Sequence, residues 1–596
     1  MRHFLRYSSV FMLFFLLAQI SVAQKEKEYQ TDSKKAIKIF EEALNLYRFV
    51  YYDQALEKLN EALAEDSNFI DVYVLKGQLY SDIRKPELAI QNYQKALSIN
   101  PDFDHRLFYL SASVEADLLD LPQASAHIQT YLGFEDLSKL SRRRGEELKE
   151  LIDYRMALVQ NPVPFDPQNL GPKVNGPYTE HSPSLTADEQ VLYYTRRMPA
   201  KRKGAGSVSD DEDLYLSNRQ PDNTWGTAID LGNDINTHYR EGASCVSPDG
   251  KYLFFTSCDR PGGFGSCDLY LAIKSGDKWT KPRNLGQTIN SSFWESQPSF
   301  SSDGRTLFYV SNKGGKGERD IWMIKIGNDG NWGTPINLSI NTKGSDQSPF
   351  IHPDGKSFYF ASNGHKGLGK HDLFMTTLLD DKGNCSEPIN LGYPINSSED
   401  DVSLMVSANG KTAYYASGMD GGFGEWDLYS FDLPEVVRPN KVTYSKGLVY
   451  DAETKQPVRA KFELIDIDSE RPIVESYSDG ENGEFLVCVP LSKDYALNVS
   501  AKGYLFFSEN FSLKEVKDTN SYAFDVPLTP IREGASVILK NIFFETNKYN
   551  LKQTQQHTPE NALARSNSLI SSLQTHRSRI PEIHESSPPN NLDERE

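Results

Sequence analysis

Four glycine-rich segments have the composition of loops that could cradle an anion with their backbone amides. They are Pro261-Gly262-Gly263-Phe264-Gly265, Gly314-Gly315-Lys316-Gly317, Gly364-His365-Lys366-Gly367-Leu368-Gly369 and Gly421-Gly422-Phe423-Gly424. Each segment joins two strand-like runs and not a strand to the first turn of a helix, so no helix dipole would support a bound anion. The pattern therefore favours structural connectors, in which a recurring Asp accepts hydrogen bonds from the loop amides.

Acidic residues recur just before the first strand of each unit in a β-rich repeat. They are Glu241, Glu295, Asp346, Glu399 and Asp400. If these carboxylates converge at a channel mouth, they form a site for a cation or a basic peptide; otherwise they are solvated loop residues. The motifs of nucleophile elbows, zinc-protease helices and phosphate loops do not occur in the sequence. We therefore predict a protein that is not an enzyme, with no catalytic residue, no cofactor and no metal site.

The five cysteines are too few and too scattered for a disulfide framework. They are Cys245, Cys258, Cys267, Cys385 and Cys488. Cys258 and Cys267 flank a glycine-rich turn in one apparent hairpin, so an oxidising compartment could join them, and two free thiols are the alternative. No CxxC motif occurs and no His lies near these cysteines at ligand spacing, which argues against zinc.

The charge argues against a nucleic acid partner, and the N-terminus indicates an exported protein. Lys and Arg total 64 against 82 Asp and Glu, a net charge of −18, with no basic tract for a nucleic acid partner. A basic start, an apolar run and Ser21-Val22-Ala23 read as a signal peptide over residues 1–23, cleaved between Ala23 and Gln24. The alternative is a membrane anchor, but the apolar core of about ten residues is shorter than the roughly 20 that span a bilayer. We predict no transmembrane helix.

A helical repeat occupies residues 34–155. Ala55 and Ala62 recur as Ala89 and Ala96, an offset of 34 residues. Together with Gly77 and Pro101, these spacings resemble the tetratricopeptide repeat, in which small residues allow two helices to cross closely and Pro ends the second helix. The resemblance implies a concave surface for peptides or partner helices. The alternative is a plain helical spacer.

A second repeat, with strand-like periodicity, occupies residues 165–434. Its turns centre on positions 188, 249, 303, 354 and 409, and each is followed by an Asp-apolar-aromatic strand such as Asp268-Leu269-Tyr270. Four strands in each unit predict a five-bladed β-propeller. An extra copy of the last strand, Asn169-Leu170-Gly171, precedes the first unit and is expected to complete the final blade. The units resemble the TolB-like, WD-like propeller repeats of periplasmic proteins.

Two further segments follow the propeller. Residues 441–528, opening with Gly447-Leu448-Val449-Tyr450-Asp451, resemble the carboxypeptidase regulatory-like β-sandwich and imply a spacer. Residues 534–596 contain Ile542-Phe543-Phe544-Glu545-Thr546-Asn547, which resembles the first strand of the OmpA-like α/β domain. That family binds peptidoglycan, but its later signatures have no counterpart here. We therefore predict a truncated segment with a disordered tail that no longer binds the cell wall.

The fold class is thus multidomain, with helical repeats followed by all-β domains and an OmpA-like remnant. The order of these domains resembles OmpA-family envelope proteins that link type IX secretion or gliding complexes to peptidoglycan. We predict a non-catalytic scaffold in the periplasm, associated with the outer membrane, that binds envelope proteins through its repeats and propeller. The alternatives are a glycan- or peptide-binding envelope protein and a propeller-based hydrolase.

Overall fold

The computed structural model describes residues 29–199, 210–327, 329–469, 471–514, 522–523 and 525–532. The signal peptide over residues 1–23, its cleavage site between Ala23 and Gln24, and the OmpA-like segment over residues 534–596 lie outside this range. The chain divides into two compact units. The first contains the described residues up to Pro164 together with His365–Asp372 and Asn390–Asp401, and the second contains Phe165–Gly364, Leu373–Ile389 and the described residues from Val402 onward.

The first unit is dominated by antiparallel helix pairs. Its helices are α1 (Lys34–Arg48), α2 (Tyr52–Glu65), α3 (Ile70–Asp82), α4 (Pro86–Ile99), α5 (Arg106–Asp117), α6 (Leu121–Gly133) and α7 (Lys139–Gln160). The Ser33 hydroxyl caps α1 by accepting from the Ala36 amide at 3.2 Å, and Pro86 occupies the first turn of α4, where its missing amide proton costs nothing. The last helix ends just before Pro162, five residues beyond the boundary that the sequence suggests.

Small residues set the helix crossings, as the repeat spacing predicts. A Cβ on Gly77 would lie 2.4 Å from Tyr93 Cε1, so the tyrosine ring fills the space that glycine leaves. Ala89 and Ala96 are fully buried on the same helix as Tyr93. Burial of these apolar faces between neighbouring helices gives the array its stability.

Five sheets follow, built from strands β1 to β21. Their bounds are β1 (Gln168–Asn169), β2 (Thr179–Leu185), β3 (Val191–Pro199), β4 (Asp210–Asn218), β5 (Ile229–Asp230), β6 (Arg240–Val246), β7 (Tyr252–Cys258), β8 (Cys267–Ser275), β9 (Lys278–Trp279), β10 (Arg283–Asn284), β11 (Glu295–Phe300), β12 (Thr306–Ser311), β13 (Asp320–Lys325), β14 (Ile336–Asn337), β15 (Asp346–Ile351), β16 (Ser357–Ser362), β17 (Asp372–Thr377), β18 (Ile389–Asn390), β19 (Met405–Val406), β20 (Thr412–Ser417) and β21 (Asp427–Asp432).

The sheets repeat one antiparallel meander. Sheets I to IV have the orders β2-β3-β4-β5, β6-β7-β8-β10, β11-β12-β13-β14 and β15-β16-β17-β18, and β9 also pairs with β8. Sheet V has the order β19-β20-β21-β1, so the strand nearest the N-terminus supplies its fourth member. Asn169 of β1 pairs with Tyr429 of β21, the pairing expected for Asn169-Leu170-Gly171. This is a β-propeller-like fold, and its aromatic strand faces form the cores between sheets.

The repeated turns, which are Asp-Gly in sheets II to IV, lie between the first two strands of each sheet. In sheets II to V the turn glycine has a φ of +71° to +75°, a left-handed conformation that glycine adopts without the steric cost of a Cβ. The glycines are Gly250, Gly304, Gly355 and Gly410. Sheet I differs, because Glu189 has a φ of +57° at this position.

A two-sheet β domain ends the described chain. Its strands are β22 (Val442–Asp451), β23 (Lys461–Asp466), β24 (Arg471–Tyr477), β25 (Glu484–Pro490), β26 (Asp494–Ser500), β27 (Phe507–Ser512), β28 (Tyr522–Ala523) and β29 (Val526–Leu528). One sheet has the order β25-β22-β28, with β29 also on β22, and the other has the order β24-β23-β26-β27. Phe462, Phe485 and Tyr495 are among the side chains in their shared core.

This domain is tied to the turns of sheets II and III within the second unit. Arg305 Nη2 lies 2.7 Å from Glu475 Oε1, and the Ser476 hydroxyl donates to Asp249 Oδ2 at 2.7 Å. The Gly276 amide donates to Asp479 Oδ2 at 3.0 Å. These partly buried polar contacts join the two β domains within the second unit.

Candidate functional site

The backbone amides of the glycine-rich loops donate hydrogen bonds to the aspartate side chain at the start of the strand that follows. In sheet II the side chain of Asp268 accepts from the Phe264 amide at 2.7 Å and from the Gly265 amide at 3.0 Å. The same pair of bonds recurs at Asp320, Asp372 and Asp427. Because the amides that would hold an anion are already bonded to an internal carboxylate, the structure supports the connector interpretation of these loops.

The last glycine of each such loop is required by a close backbone approach. A Cβ on Gly265 would lie 1.8 Å from the carbonyl oxygen of Phe293, in the segment that leads from sheet II to sheet III. The corresponding distance is 2.1 Å at Gly317 and 2.3 Å at Gly369. These distances are far below van der Waals contact, so a side chain would push the loop away from the neighbouring segment.

Two asparagine side chains, bonded in series, link the loop carboxylate to the segment that leads to the next sheet. We call this series of hydrogen bonds the relay. In sheet II, Asn284 Nδ2 donates to Asp268 Oδ2 at 2.7 Å, and Asn290 Nδ2 donates to Asn284 Oδ1 at 2.8 Å. Asn290 also bonds both the amide and the carbonyl of Leu269. The relay was not predicted from the sequence, although the recurrence of Ile-Asn four residues after Leu-Gly, as in Leu285-Gly286 and Ile289-Asn290, would have revealed it.

Three of the five recurring acidic residues fit neither interpretation, whereas Glu399 and Asp400 are exposed loop residues. Glu241, Glu295 and Asp346 are fully buried, so they are neither solvated nor open to a cation or a basic peptide. Glu295 accepts from the Ser291 amide at 2.8 Å, from the Ser291 hydroxyl at 2.6 Å and from the Ser311 hydroxyl at 2.7 Å. Removal from water raises the pKa of Glu241 in spite of similar hydrogen bonds. These side chains hold the start of each first strand.

Glu399 and Asp400 do not occupy this position. They lie on the surface and pair with Lys370 and with His371, whose Nδ1 is 2.6 Å from Asp400 Oδ1. The equivalent carboxylate is Asp401, which accepts from the Ser397 amide at 2.6 Å. The sequence could have identified Asp401 by its spacing. Asp401 lies four residues after Ser397, as Glu295 lies four residues after Ser291.

We expect Asp401 to make the stability of the first unit depend on pH. Removal from water raises its pKa from 3.8 to about 7, and the negative charge of Asp372 adds to this shift. The folded protein therefore binds more protons than the unfolded chain between these two values, and stability falls as the pH rises through that window. The Asp401→Asn protein should melt several degrees higher than the parent at pH 8 and at the same temperature at pH 3.

Differential scanning calorimetry at both pH values measures this effect. Asp381→Asn is the matched control, because Asp381 is 85% exposed and pairs with Lys325 at the surface. A difference between the Asp401→Asn protein and the parent that is the same at pH 3 and pH 8 would contradict the assignment.

The first strands of the five sheets surround two small cavities. Each strand has one left-handed residue within it or just before it, namely Ser182, Ala243, Gln297, Ser348 and Ser403. Residues from all five strands line cavities of about 30 and 50 Å³. A water molecule occupies about 30 Å³ and ligand pockets about 300–1,000 Å³, so these spaces accommodate water and not a sugar or a peptide.

Two of the five cysteines are covalently paired, Cys488 is a buried thiol, and Cys245 and Cys385 are partly buried thiols. A disulfide joins Cys258 to Cys267, which lie opposite each other on β7 and β8. Burial raises the pKa of Cys245 and of Cys385 to about 11, so both remain thiols near neutral pH and are poor nucleophiles. In the described part of the chain, no group of three His, Cys, Asp or Glu residues could hold a metal ion. None of the helices described above is both long enough and apolar enough to cross a membrane.

Comparisons with known proteins identify the helical repeat. The tetratricopeptide repeat family matches residues 70–103, which correspond to α3 and α4 with the loop that follows. No curated protein matches the chain. Tetratricopeptide repeats mediate contacts between proteins, so the helical array indicates a role in protein–protein interaction.

Similar solved structures include helical and β-rich proteins. The chaperone SycD of Yersinia enterocolitica with a peptide of the translocator YopD is 15% identical and covers 21% of this chain and 98% of its own, with a TM-score of 0.20. The β-1,2-mannobiose phosphorylase of Listeria innocua is 10% identical, with coverage of 45% and 96% and a TM-score of 0.32. An arabinanase of Bacillus subtilis is 13% identical, with coverage of 44% and 97% and a TM-score of 0.29. At these scores, none of them carries an inference about function.

Proposed function

We propose that this chain is a non-catalytic scaffold of the bacterial envelope, which binds partner proteins through its tetratricopeptide array and its propeller. The observation that carries the proposal is the array, with its family match over residues 70–103 and its tightly crossed pair Gly77 and Tyr93. The acidic residues that recur in the β region add support, because they are held in hydrogen bonds inside the fold and serve its connectors.

The β region is proposed to be a five-bladed ring. Five four-stranded meanders, a first strand from each around the same cavities, and a last sheet completed by β1 all fit this arrangement. Radial repetition of this kind leaves only short, protected sheet edges. It would present its connecting loops, and not a deep pocket, to partners.

The envelope location rests on the sequence. The signal peptide implies export, and a disulfide between Cys258 and Cys267 suits an oxidising compartment such as the periplasm. The order of helical repeats, propeller, β-sandwich and OmpA-like end resembles the type IX secretion subunit PorE. We therefore propose a place beside the outer membrane in a secretion or gliding complex.

Export and partner binding can be measured together on the full chain. We expect a C-terminally tagged chain, expressed in its source bacterium, to be recovered from the envelope with an intact mass that begins at Gln24. After crosslinking, purification should recover a reproducible set of membrane-complex proteins. Recovery in the cytoplasm with Met1 retained would overturn the proposal. Retention on a glycan resin with elution by free sugar would favour the glycan-binding alternative.

A further inference from the structure

A third cavity in the second unit lies beside the narrow spaces between the first strands. It has a volume of about 220 Å³ and is bounded by the turn of sheet I, the turn of sheet V and the start of β22. A water molecule takes about 30 Å³, so the cavity has room for a molecule of roughly seven non-hydrogen atoms. It is therefore large enough for a small metabolite and too small for an oligosaccharide or a peptide segment.

Groups of both charges line this cavity. Asp188 and Glu189 contribute carboxylates, and Arg219 contributes a guanidinium group. The Glu189 carboxylate accepts from Asn409 Nδ2 at 2.7 Å, and burial raises its pKa. The guanidinium carbon of Arg219 lies 4.5 Å from the ring centre of Trp225. The backbone amide of Arg219 donates a hydrogen bond to the carbonyl of Gln190 at 2.8 Å, and these two contacts position the residue.

The turn of sheet I differs from the turns of the other sheets at Glu189. Its φ of +57° places it in the left-handed region, where sheets II to V use glycine. A residue with a Cβ is sterically disfavoured there. This conformational cost occurs at one turn out of five, and it is explained if the Glu189 side chain has a function. That side chain supplies a carboxylate to the cavity.

We propose that this cavity binds a small zwitterion that carries an ammonium and a carboxylate group, such as a free amino acid. The ammonium group faces Glu189 and Asp188, and the carboxylate faces Arg219. A simple anion would meet two carboxylates and a simple cation would meet the guanidinium group, so each is disfavoured by like charge. Val442 and Tyr444 provide an apolar wall for a short side chain.

Isothermal titration calorimetry on the purified full chain tests this proposal. The probes are glycine, L-alanine and D-alanine, with acetate and ethylammonium as molecules that carry only one of the two charges. We expect at least one of the three amino acids to bind, and acetate and ethylammonium to bind at least tenfold more weakly. The proposal would be overturned if none of the three amino acids bound, or if acetate bound as tightly as they do.

Variants separate loss of the site from loss of the fold. Arg219→Gln should weaken binding at least tenfold. Glu189→Gly should abolish binding while the melting temperature of the free protein stays the same or rises, because the turn then has the residue used in the other four sheets. Lys411→Gln is the control, since Lys411 lies on the surface and pairs with Asp432 at 3.2 Å. Parental affinity in the Glu189→Gly protein would refute the site.

Discussion

Gly424→Ala is expected to lower the free energy of unfolding of the second unit by about 3 kcal/mol, at the upper end of the cost of overpacking. The new Cβ would lie 1.7 Å from the carbonyl oxygen of Tyr178 and 2.8 Å from that of Gly176. Both are backbone atoms, so no side chain can rotate away. The loop before β21 would have to separate from the segment that leads into sheet I, where the two ends of the repeat meet.

Thermal unfolding followed by circular dichroism measures this loss, and we expect the melting temperature to fall by about 4–5 °C for a region of this size. Gly421→Ala is the matched control in the same loop. Gly421 has a φ of +86°, but a Cβ added there would have no neighbouring atom within 4 Å, so this change adds only the conformational cost of about 1–2 kcal/mol. Equal losses in the two variants would show that the close approach to Tyr178 does not matter.

Arg196→Met is expected to cost about 3–5 kcal/mol, because it leaves the carboxylate of Glu180 buried without its cation. Glu180 is fully buried, and its Oε1 lies 2.6 Å from Arg196 Nε. The guanidinium group also donates to the carbonyl of Val174 at 2.7 Å and lies 4.6 Å from the ring centre of Tyr215. Burial raises the pKa of Glu180, so the unpaired acid should take up a proton and the variant should lose less stability at low pH.

Two further proteins show which contact is responsible. Arg197→Met changes the adjacent residue, whose 3.4 Å pair with Glu425 is exposed, and should alter stability by no more than about 0.5 kcal/mol. Adding Glu180→Gln to Arg196→Met removes the buried charge and should recover part of the loss in denaturant titrations. If Glu180→Gln brings no recovery, Arg196 stabilises the fold by packing on Tyr215 and not by neutralising Glu180.

Much of the architecture could be predicted because the same residue spacings and turn residues recur along the sequence. The offset between Ala55 and Ala89 anticipates the helix pairs, and the Asp-Gly turns anticipate the hairpins of sheets II to IV. The extra Asn169-Leu170-Gly171 anticipates the strand that pairs with β21. The site was harder to predict, since Asp401, and not Glu399 or Asp400, takes the position equivalent to that of Glu295.

The sequence alone determined the order of the helical and β regions and the strand content of each repeat, because helix and strand periods and turn residues act over a few neighbouring positions. The tertiary structure decided the rest. Only there do Asp268, Asn284 and Asn290 form one hydrogen-bonded relay, and only there are Glu241 and Glu295 removed from water. Hydrogen bonding and burial depend on distances between residues far apart along the chain, and sheets set those distances only once they have packed.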